Sequence, residues 1–309
     1  MALRRKTVNR LIIVGIAVLI LAAGLTAIII SSQARRNAEL NEIQQRAQDH
    51  YQDALKARER FIDALEKSDY DFEPDSVVLD PAIAAEDTAL IQLQQATAQA
   101  WEEALIPISN ALSSKKEDPQ LLWAFAQARA NVQDPTGKHI REPINYLRTL
   151  LRYRPNHEQA RKMLLQHYNM IPRQFLSETK ELAEEVLEEE PNSTLALHAM
   201  AQTLAQEENI EQALGYVDRW VELEPLALEP RSWRVDLMRI HETDPQRVID
   251  YAQRLVANYP DEPKFKILLA RAYRYDNQPE KMGEIYDAVL EADLKDLDAT
   301  WMLIRDMES

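Results

Sequence analysis

The residues that most often carry out enzyme chemistry occur in this chain without the spacing that such chemistry needs. His157 is followed by Glu158 and His241 by Glu242, but neither pair has a second histidine at metal-binding distance. The absence of cysteine excludes disulfides, thiolate metal sites and cysteine nucleophiles. Only 5 residues are glycine, and they form no cluster of the kind that cradles phosphates. We therefore expect no enzyme activity, no cofactor and no metal site.

A short acidic segment is the nearest approach to a metal loop. Asp69, Asp71, Glu73 and Asp75 alternate as calcium ligands do, but Pro74 lies where such a loop requires glycine. The segment is therefore predicted to be a solvated acidic linker.

The charge of the chain is unevenly distributed. Residues 1–36 contain six basic and no acidic residues, so the rest carries a net charge of −21 within a total of −15. Such an acidic region repels phosphate. We expect no nucleic-acid partner.

The segment Leu11–Ile30 contains 20 residues without a charge. At 1.5 Å per residue, a helix of this length crosses the roughly 30 Å hydrocarbon core of a bilayer. Four basic residues precede the segment and only Arg35 and Arg36 follow it closely. Because the larger basic cluster stays in the cytoplasm, we expect an anchor with a cytoplasmic N-terminus. The alternative is a cleaved signal peptide, with Ser32-Gln33-Ala34 as its cleavage site, although the apolar region is unusually long for one.

Residues 34–67 follow without proline or glycine and are predicted to continue as a helical stalk. Apolar residues fall on a spacing of three and four, interrupted by Gln44 and Arg58. They are Leu40, Ala47, Tyr51, Ala54, Phe61 and Leu65. The predicted stalk packs on one face or forms a weak homo-oligomer with a second copy.

Prolines that are predicted to end helices recur at regular intervals. They are Pro119, Pro155, Pro191, Pro225 and Pro260, separated by 36, 36, 34 and 35 residues. A further step of 34 reaches Leu294. A period of this length is typical of a helical repeat array and gives each interval room for two helices.

The residues inside the intervals resemble the tetratricopeptide repeat (TPR). Ala201 and Ala270 match the small residue of the first helix of that repeat, and Ala213 matches the small residue of the second. The resemblance covers residues 119–294 and implies an all-α solenoid of helix-turn-helix repeats. It needs two extra residues after Pro155, and a shifted first helix after Pro225.

The remaining segments are assigned around this array. Pro143 is expected to open the second helix of the first repeat, and Pro107 to kink an earlier helix. The predicted segments are 1–33 (cytoplasmic tip and transmembrane helix), 34–67 (stalk), 68–83 (acidic linker), 84–118 (irregular helical cap), 119–294 (about five repeats) and 295–309 (C-terminal capping helix). Whether residues 84–118 form a true repeat stays open.

The resemblance also implies a concave groove that binds a protein or an extended peptide. Positions that the family exposes there fall on Lys162, Gln166, Asn169, His198, Gln202, Gln206, Lys264, Arg271 and Arg274. The cations of the last three could hold a carboxylate of the partner or could balance local acids such as Asp276 and Glu280.

Three functions remain open at this stage. The first is a membrane-anchored scaffold or adaptor in cell-envelope assembly or quality control, because the architecture is similar to that of bacterial inner-membrane repeat proteins. In that case most of the chain lies on the periplasmic side. The second is a structural membrane protein that self-associates, and the third is a secreted soluble TPR protein.

Overall fold

The computed structural model describes residues 2–67, 88–242 and 244–291, with side chains from Ile29 onward. Within these ranges every regular element is a helix and no strand occurs, which confirms the all-α prediction. The helices are α1 (Ala2–Glu66), α2 (Thr88–Ser114), α3 (Pro119–Asn131), α4 (Lys138–Tyr153), α5 (Glu158–Met170), α6 (Leu176–Glu189), α7 (Thr194–Gln206), α8 (Ile210–Leu223), α9 (Leu228–His241), α10 (Pro245–Asn258), α11 (Pro263–Tyr275) and α12 (Pro279–Glu291), with a 3-10 helix at Pro172–Gln174.

The chain divides into two compact units, Met1–His139 and Ile140–Ser309. The division falls inside α4, and therefore inside the first of the predicted repeats. The predicted linker, the whole predicted C-terminal cap and Leu294 lie outside the described residues. The predicted segment boundaries stay predictions.

In the first unit, α1 and α2 pack side by side and α3 packs on α2. The Thr97 hydroxyl donates to the Ala57 carbonyl at 3.1 Å, and the Lys115 ammonium donates to Gln44 at 3.1 Å. The later of these contacts is with the earlier residue of α1, so the two helices are antiparallel. Four residues of the predicted stalk seam are fully buried in this unit: Ala47, Ala54, Phe61 and Leu65. The stalk therefore packs on one face against its own chain.

The anchor prediction falls mostly outside the side chains that the structure describes. Leu11–Ile30 lies within α1, but only Ile29 and Ile30 of this segment have described side chains. Among the residues that the structure describes with their side chains, no helix has the length and apolar character needed to cross a membrane.

Four of the five periodic prolines mark helix ends. Pro155, Pro191, Pro225 and Pro260 each lie two residues beyond the end of a helix, and the next helix begins three residues later. Pro119 differs, because it is the first residue of α3 and follows the N-cap Asp118. Proline suits that position because the first helical N–H needs no partner within the helix. The prediction that Pro119 ends a helix is wrong.

Two other proline predictions are resolved by local structure. Helix α4 begins at Lys138, so Pro143 lies inside it and does not open it. The helix begins early because Asp134 and Gly137 close a turn, in which the Gly137 N–H donates to the Asp134 carbonyl at 2.9 Å and Gly137 has a φ of 73°. Helix α2 runs through Pro107.

The second unit is an array of helix pairs. Each helix from α5 to α12 packs against the next along the chain, α5 packs also against α7, and α9 against α11. Ala201, Ala213 and Ala270 are completely buried, as the resemblance implies. Val235 occupies the equivalent place in α9 and is also completely buried. The predicted register shift after Pro225 is therefore wrong.

Candidate functional site

The first helices of the four pairs in the second unit, α5, α7, α9 and α11, provide equivalent positions. Each begins three residues after a proline, so residues can be compared by counting from the first helical residue. Positions 5, 9 and 13 lie one helical turn apart and therefore share a face. They are Lys162, Gln166 and Met170 in α5; His198, Gln202 and Gln206 in α7; Ser232, Asp236 and Ile240 in α9; and Ile267, Arg271 and Tyr275 in α11. We call this set the first-helix face.

Six of the nine residues predicted for the groove belong to the first-helix face. Asn169 and Arg274 lie at position 12 of their helices, and Lys264 lies at position 2 of α11. Gln206 is exposed, whereas most of the others are partly buried. Their role in binding a partner stays a prediction.

At the α5 end of the face, the cation is already neutralised. The Lys162 ammonium lies 2.9 Å from a Glu158 oxygen and 2.8 Å from a Glu190 oxygen. Hydrogen bonds to Glu190 and Glu158 raise the pKa of Lys162 above its ordinary value. Lys162 therefore contributes little net positive charge to the face.

The centre of the face is uncharged. His198 is the only ionisable residue of α7, and its ring stacks on Trp220 at 4.9 Å and meets the edge of Trp233 at 5.3 Å. Burial lowers the pKa of His198 to about 4, so the imidazole is neutral at pH 7. Glu229 lies 3.8 Å away but does not reverse that effect of burial.

Several polar atoms in this central region have no hydrogen-bond partner among the described residues. They are both amide atoms of Asn169, the Gln202 Oε1 and the His198 Nε2. A buried polar group without a partner costs about 1–3 kcal/mol. Because α5 packs against α7, these donors and acceptors belong to neighbouring first helices.

At the α11 end, the structure overturns the expected exposure of Arg271. Only 3% of this residue is exposed. Its guanidinium donates to the Ser232 hydroxyl at 2.8 Å and lies 3.9 Å from an Asp236 oxygen. These contacts place the Arg271 cation beside Asp236 of the neighbouring helix α9, whereas the sequence suggested that Asp276 or Glu280 could balance its charge.

Asp236 is held from two sides. The Tyr275 hydroxyl donates to its carboxylate at 2.5 Å, and burial together with Asp236 raises the pKa of Tyr275 to about 12. The side chain of Asp236 nevertheless remains 43% exposed. Lys264 is paired with Glu262 at 3.3 Å. This end of the face presents a compensated network of charges.

Sequence reasoning missed Ser232, Asp236, Trp220 and Trp233. The first two follow from counting: they are 34 residues after His198 and Gln202. The assumed register shift after Pro225 removed them from consideration. The tryptophans gave no such signal, because only the packing of α8 and α9 brings them to His198.

No family model matches the chain, and no curated protein matches it.

Solved structures do resemble it. A tetratricopeptide repeat protein from Parabacteroides merdae is 18% identical over 87% of this chain and 98% of its own, with a TM-score of 0.46. YrrB, described as a TPR protein with an unusual peptide-binding site, is 15% identical over 65% of this chain and 98% of its own, with a TM-score of 0.41. PilF of Pseudomonas aeruginosa is 12% identical over 82% of this chain and 99% of its own, with a TM-score of 0.46. Structures similar to this chain thus include TPR proteins, while the helix-pair array itself rests on the helix order and packing described above.

Proposed function

We propose that this protein is a membrane-anchored TPR scaffold that binds another protein or peptide along its first-helix face. The observation that carries the proposal is the set of equivalent side chains on consecutive first helices, with unpartnered amide atoms on α5 and α7 among the described residues. Cell-envelope assembly or quality control is the role that such a scaffold, facing away from the cytoplasm, would serve.

The anchor is supported by the exposed end of the apolar segment. Ile29 and Ile30 are 53% and 61% exposed, and no other part of the described chain covers them. Two adjacent isoleucines that end an uncharged segment of 20 residues favour a bilayer as their environment. We propose that residues 11–30 cross the membrane and that most of the chain lies outside the cytoplasm.

The packing of the stalk makes self-association the weaker proposal. The seam that would pair two copies is the one that α1 uses to pack on α2. Pairing through this seam would require α2 to be displaced.

A site-specific photo-crosslinker tests the scaffold proposal on the full-length protein in its membrane. Gln206 is exposed at position 13 of α7, and Gln212 is exposed on the second helix α8. The two positions therefore match in residue type and exposure. We expect the crosslinker at Gln206 to trap a discrete protein adduct that the crosslinker at Gln212 does not. Equal adducts, or none from Gln206, would contradict the proposal.

A further inference from the structure

Helix α4 presents a row of exposed cations, although residues 37–309 carry a net charge of −21. Arg141, Arg148 and Arg152 are exposed and follow one another at steps of seven and four residues, so they lie on one side of the helix. The other side is interior, where Leu147 is completely buried. We call the three arginines the basic stripe. None of them forms an ion pair within the described part of the chain.

Helix α6 carries exposed acids at the corresponding positions. Both helices end two residues before a periodic proline, so their residues correspond at a step of 36. At this step Arg148 corresponds to Glu184 and Arg152 to Glu188, and Glu181 extends the same exposed row. We call these three glutamates the acidic stripe. The equivalent sides of two consecutive second helices therefore have opposite charge.

The acidic stripe is not neutralised by its own copy. Lys180 is the only basic residue of α6 and lies one turn before Glu184, but its ammonium is paired with Glu207 at 2.9 Å. Among the described residues, no ion pair joins the acidic stripe to any cation, the basic stripe included. Both stripes are therefore available to an oppositely charged surface.

The charge pattern favours a second copy of this chain as that surface. Helix α4 has 16 residues and α6 has 14, and the two stripes follow the same row of positions, so the helices match in length and in the placement of charge. Helix α8 matches less well, because Gly215 interrupts its row and Asp218 is paired with Arg234 at 2.5 Å. An anionic lipid surface would attract the basic stripe but repel the acid-rich remainder of the chain.

We propose that the basic stripe of one copy binds the acidic stripe of a second copy. The planar guanidinium of arginine pairs with a carboxylate through two hydrogen bonds, which suits this contact. In a dimer with two-fold symmetry each copy supplies both stripes, so the contact forms twice. Exposed ion pairs are individually weak, so the association depends on the whole row and weakens with salt. The inference goes beyond the proposed function and does not involve the seam through which α1 packs on α2.

Crosslinking in intact cells tests this contact on the full-length chain. The chain has no cysteine, so one cysteine can be placed in each of two copies that carry different tags. Asn145 and Ser177 are exposed and lie in the rows of the basic and the acidic stripe. We expect a bismaleimide to join an Asn145→Cys copy to a Ser177→Cys copy. It should not join the Asn145→Cys copy to a copy with Gln206→Cys, which is exposed on the first helix α7.

Charge reversal distinguishes a second copy from other occupants. Arg148→Glu with Arg152→Glu reverses the net charge of the basic stripe, and Glu184→Arg with Glu188→Arg reverses that of the acidic stripe. When all copies carry the same pair of changes, crosslinking should fall about tenfold, because both stripes then have the same sign. A mixture of the two variants should recover crosslinking, since each stripe again meets its opposite in the other copy.

A matched control isolates the stripes from net charge. Arg173→Glu with Arg254→Glu makes the same charge change as the reversed basic stripe, at exposed positions outside it, and should leave crosslinking unchanged. A loss in the reversed copies without recovery in the mixture would assign the basic stripe to a lipid surface or another protein and overturn the inference. Crosslinking that neither reversal reduces, or no crosslinking of the unreversed copies, would overturn it as well.

Discussion

At the scale of single residues, the burial of His198 links the centre of the face to pH. The pKa of His198 is about 4 in the folded protein, against about 6.5 for an exposed histidine. Between these values the unfolded chain binds more protons than the folded chain, so stability falls as pH falls through this interval. The shift corresponds to at most about 3 kcal/mol.

The first prediction concerns this pH dependence. His198→Phe keeps an aromatic ring between Trp220 and Trp233 but removes the titrating group. We expect urea unfolding to show that the unaltered protein loses up to about 3 kcal/mol more than the variant between pH 6.5 and pH 4. The same exchange at the exposed His241 serves as control. Identical losses in the His198→Phe variant and the unaltered protein would show that His198 titrates normally.

The second prediction concerns a strained turn residue. Glu208 ends the turn after α7 with a φ of 61°, and Asn277 has the equivalent place after α11 with a φ of 54°. Asparagine adopts this left-handed conformation more readily than glutamate. Glu208→Asn should therefore raise the free energy of unfolding by about 0.5–1 kcal/mol, and Asn277→Glu should lower it by a similar amount. A change of the same sign in both variants would exclude backbone strain as the cause.

Whether a site residue could be predicted from the sequence depends on whether its neighbours lie in the same helix or in another repeat. His198 and Gln202 share a face of α7 through helical spacing, and the repeat period extends the same count to Lys162 in α5, so counting along the sequence finds all three. The interior position of Arg271 depends on Ser232 and Asp236, which belong to another repeat. Sequence periodicity shows which residues are equivalent, but only the packed structure shows which ones neutralise each other.

At the scale of helices, the link between α9 and α11 carries the third prediction. Arg271→Met keeps most of the side-chain volume but removes the hydrogen bond to Ser232 and the cation beside Asp236. We expect a loss of about 1–3 kcal/mol in the free energy of unfolding. If the cation matters through Asp236, the combined variant with Asp236→Asn should lose less than the sum of the two single losses. Strict additivity would mean that the 3.9 Å contact contributes nothing.

The fourth prediction concerns the crossing of two helices within one repeat. Ala201 is completely buried in α7, which packs against α8. Ala201→Leu should overpack this crossing and cost about 1–3 kcal/mol in the free energy of unfolding, measured with urea. Gln206→Leu, which adds an apolar side chain at an exposed position of the same helix, is the control. Equal stability of both variants would show that the crossing has room for a larger side chain.

The helix ends explain why the array was predictable and its start was not. In the second unit, each periodic proline follows a helix end, and local sequence is enough to place it. Pro119 belongs to the same series by spacing, but Asp118 caps the helix that follows, so this proline begins a helix and does not end one. The difference lies in the side chain of Asp118, which accepts hydrogen bonds from the N–H groups of Gln120 and Leu121. The spacing of the prolines does not reveal this cap.

At the scale of the whole molecule, the charge distribution and the continuous helix α1 both bear on the proposed membrane topology. Residues 1–36 contain six basic and no acidic residues, whereas the rest of the chain is acidic. Helix α1 runs from this basic region to Glu66, and its later turns pack on α2. A membrane-spanning start would therefore continue without interruption into the part of α1 that packs on α2. The acidic remainder of the chain does not oppose translocation, because orientation is set by basic residues close to the span.

The last prediction is the topology that this charge pattern implies. Arg4, Arg5, Lys6 and Arg10 precede the proposed span Leu11–Ile30, and only Arg35 and Arg36 follow it closely. A reporter that is active only in the cytoplasm should be silent when it is fused after Ser309, and one that is active only outside should work. Replacing Arg4, Arg5 and Lys6 by glutamine leaves one basic residue before the span against two after it, so part of the population should invert and cytoplasmic activity should rise. Strong cytoplasmic activity of the unaltered fusion would reverse the orientation. Release of the external reporter into the soluble fraction would instead identify Leu11–Ile30 as a cleaved signal peptide.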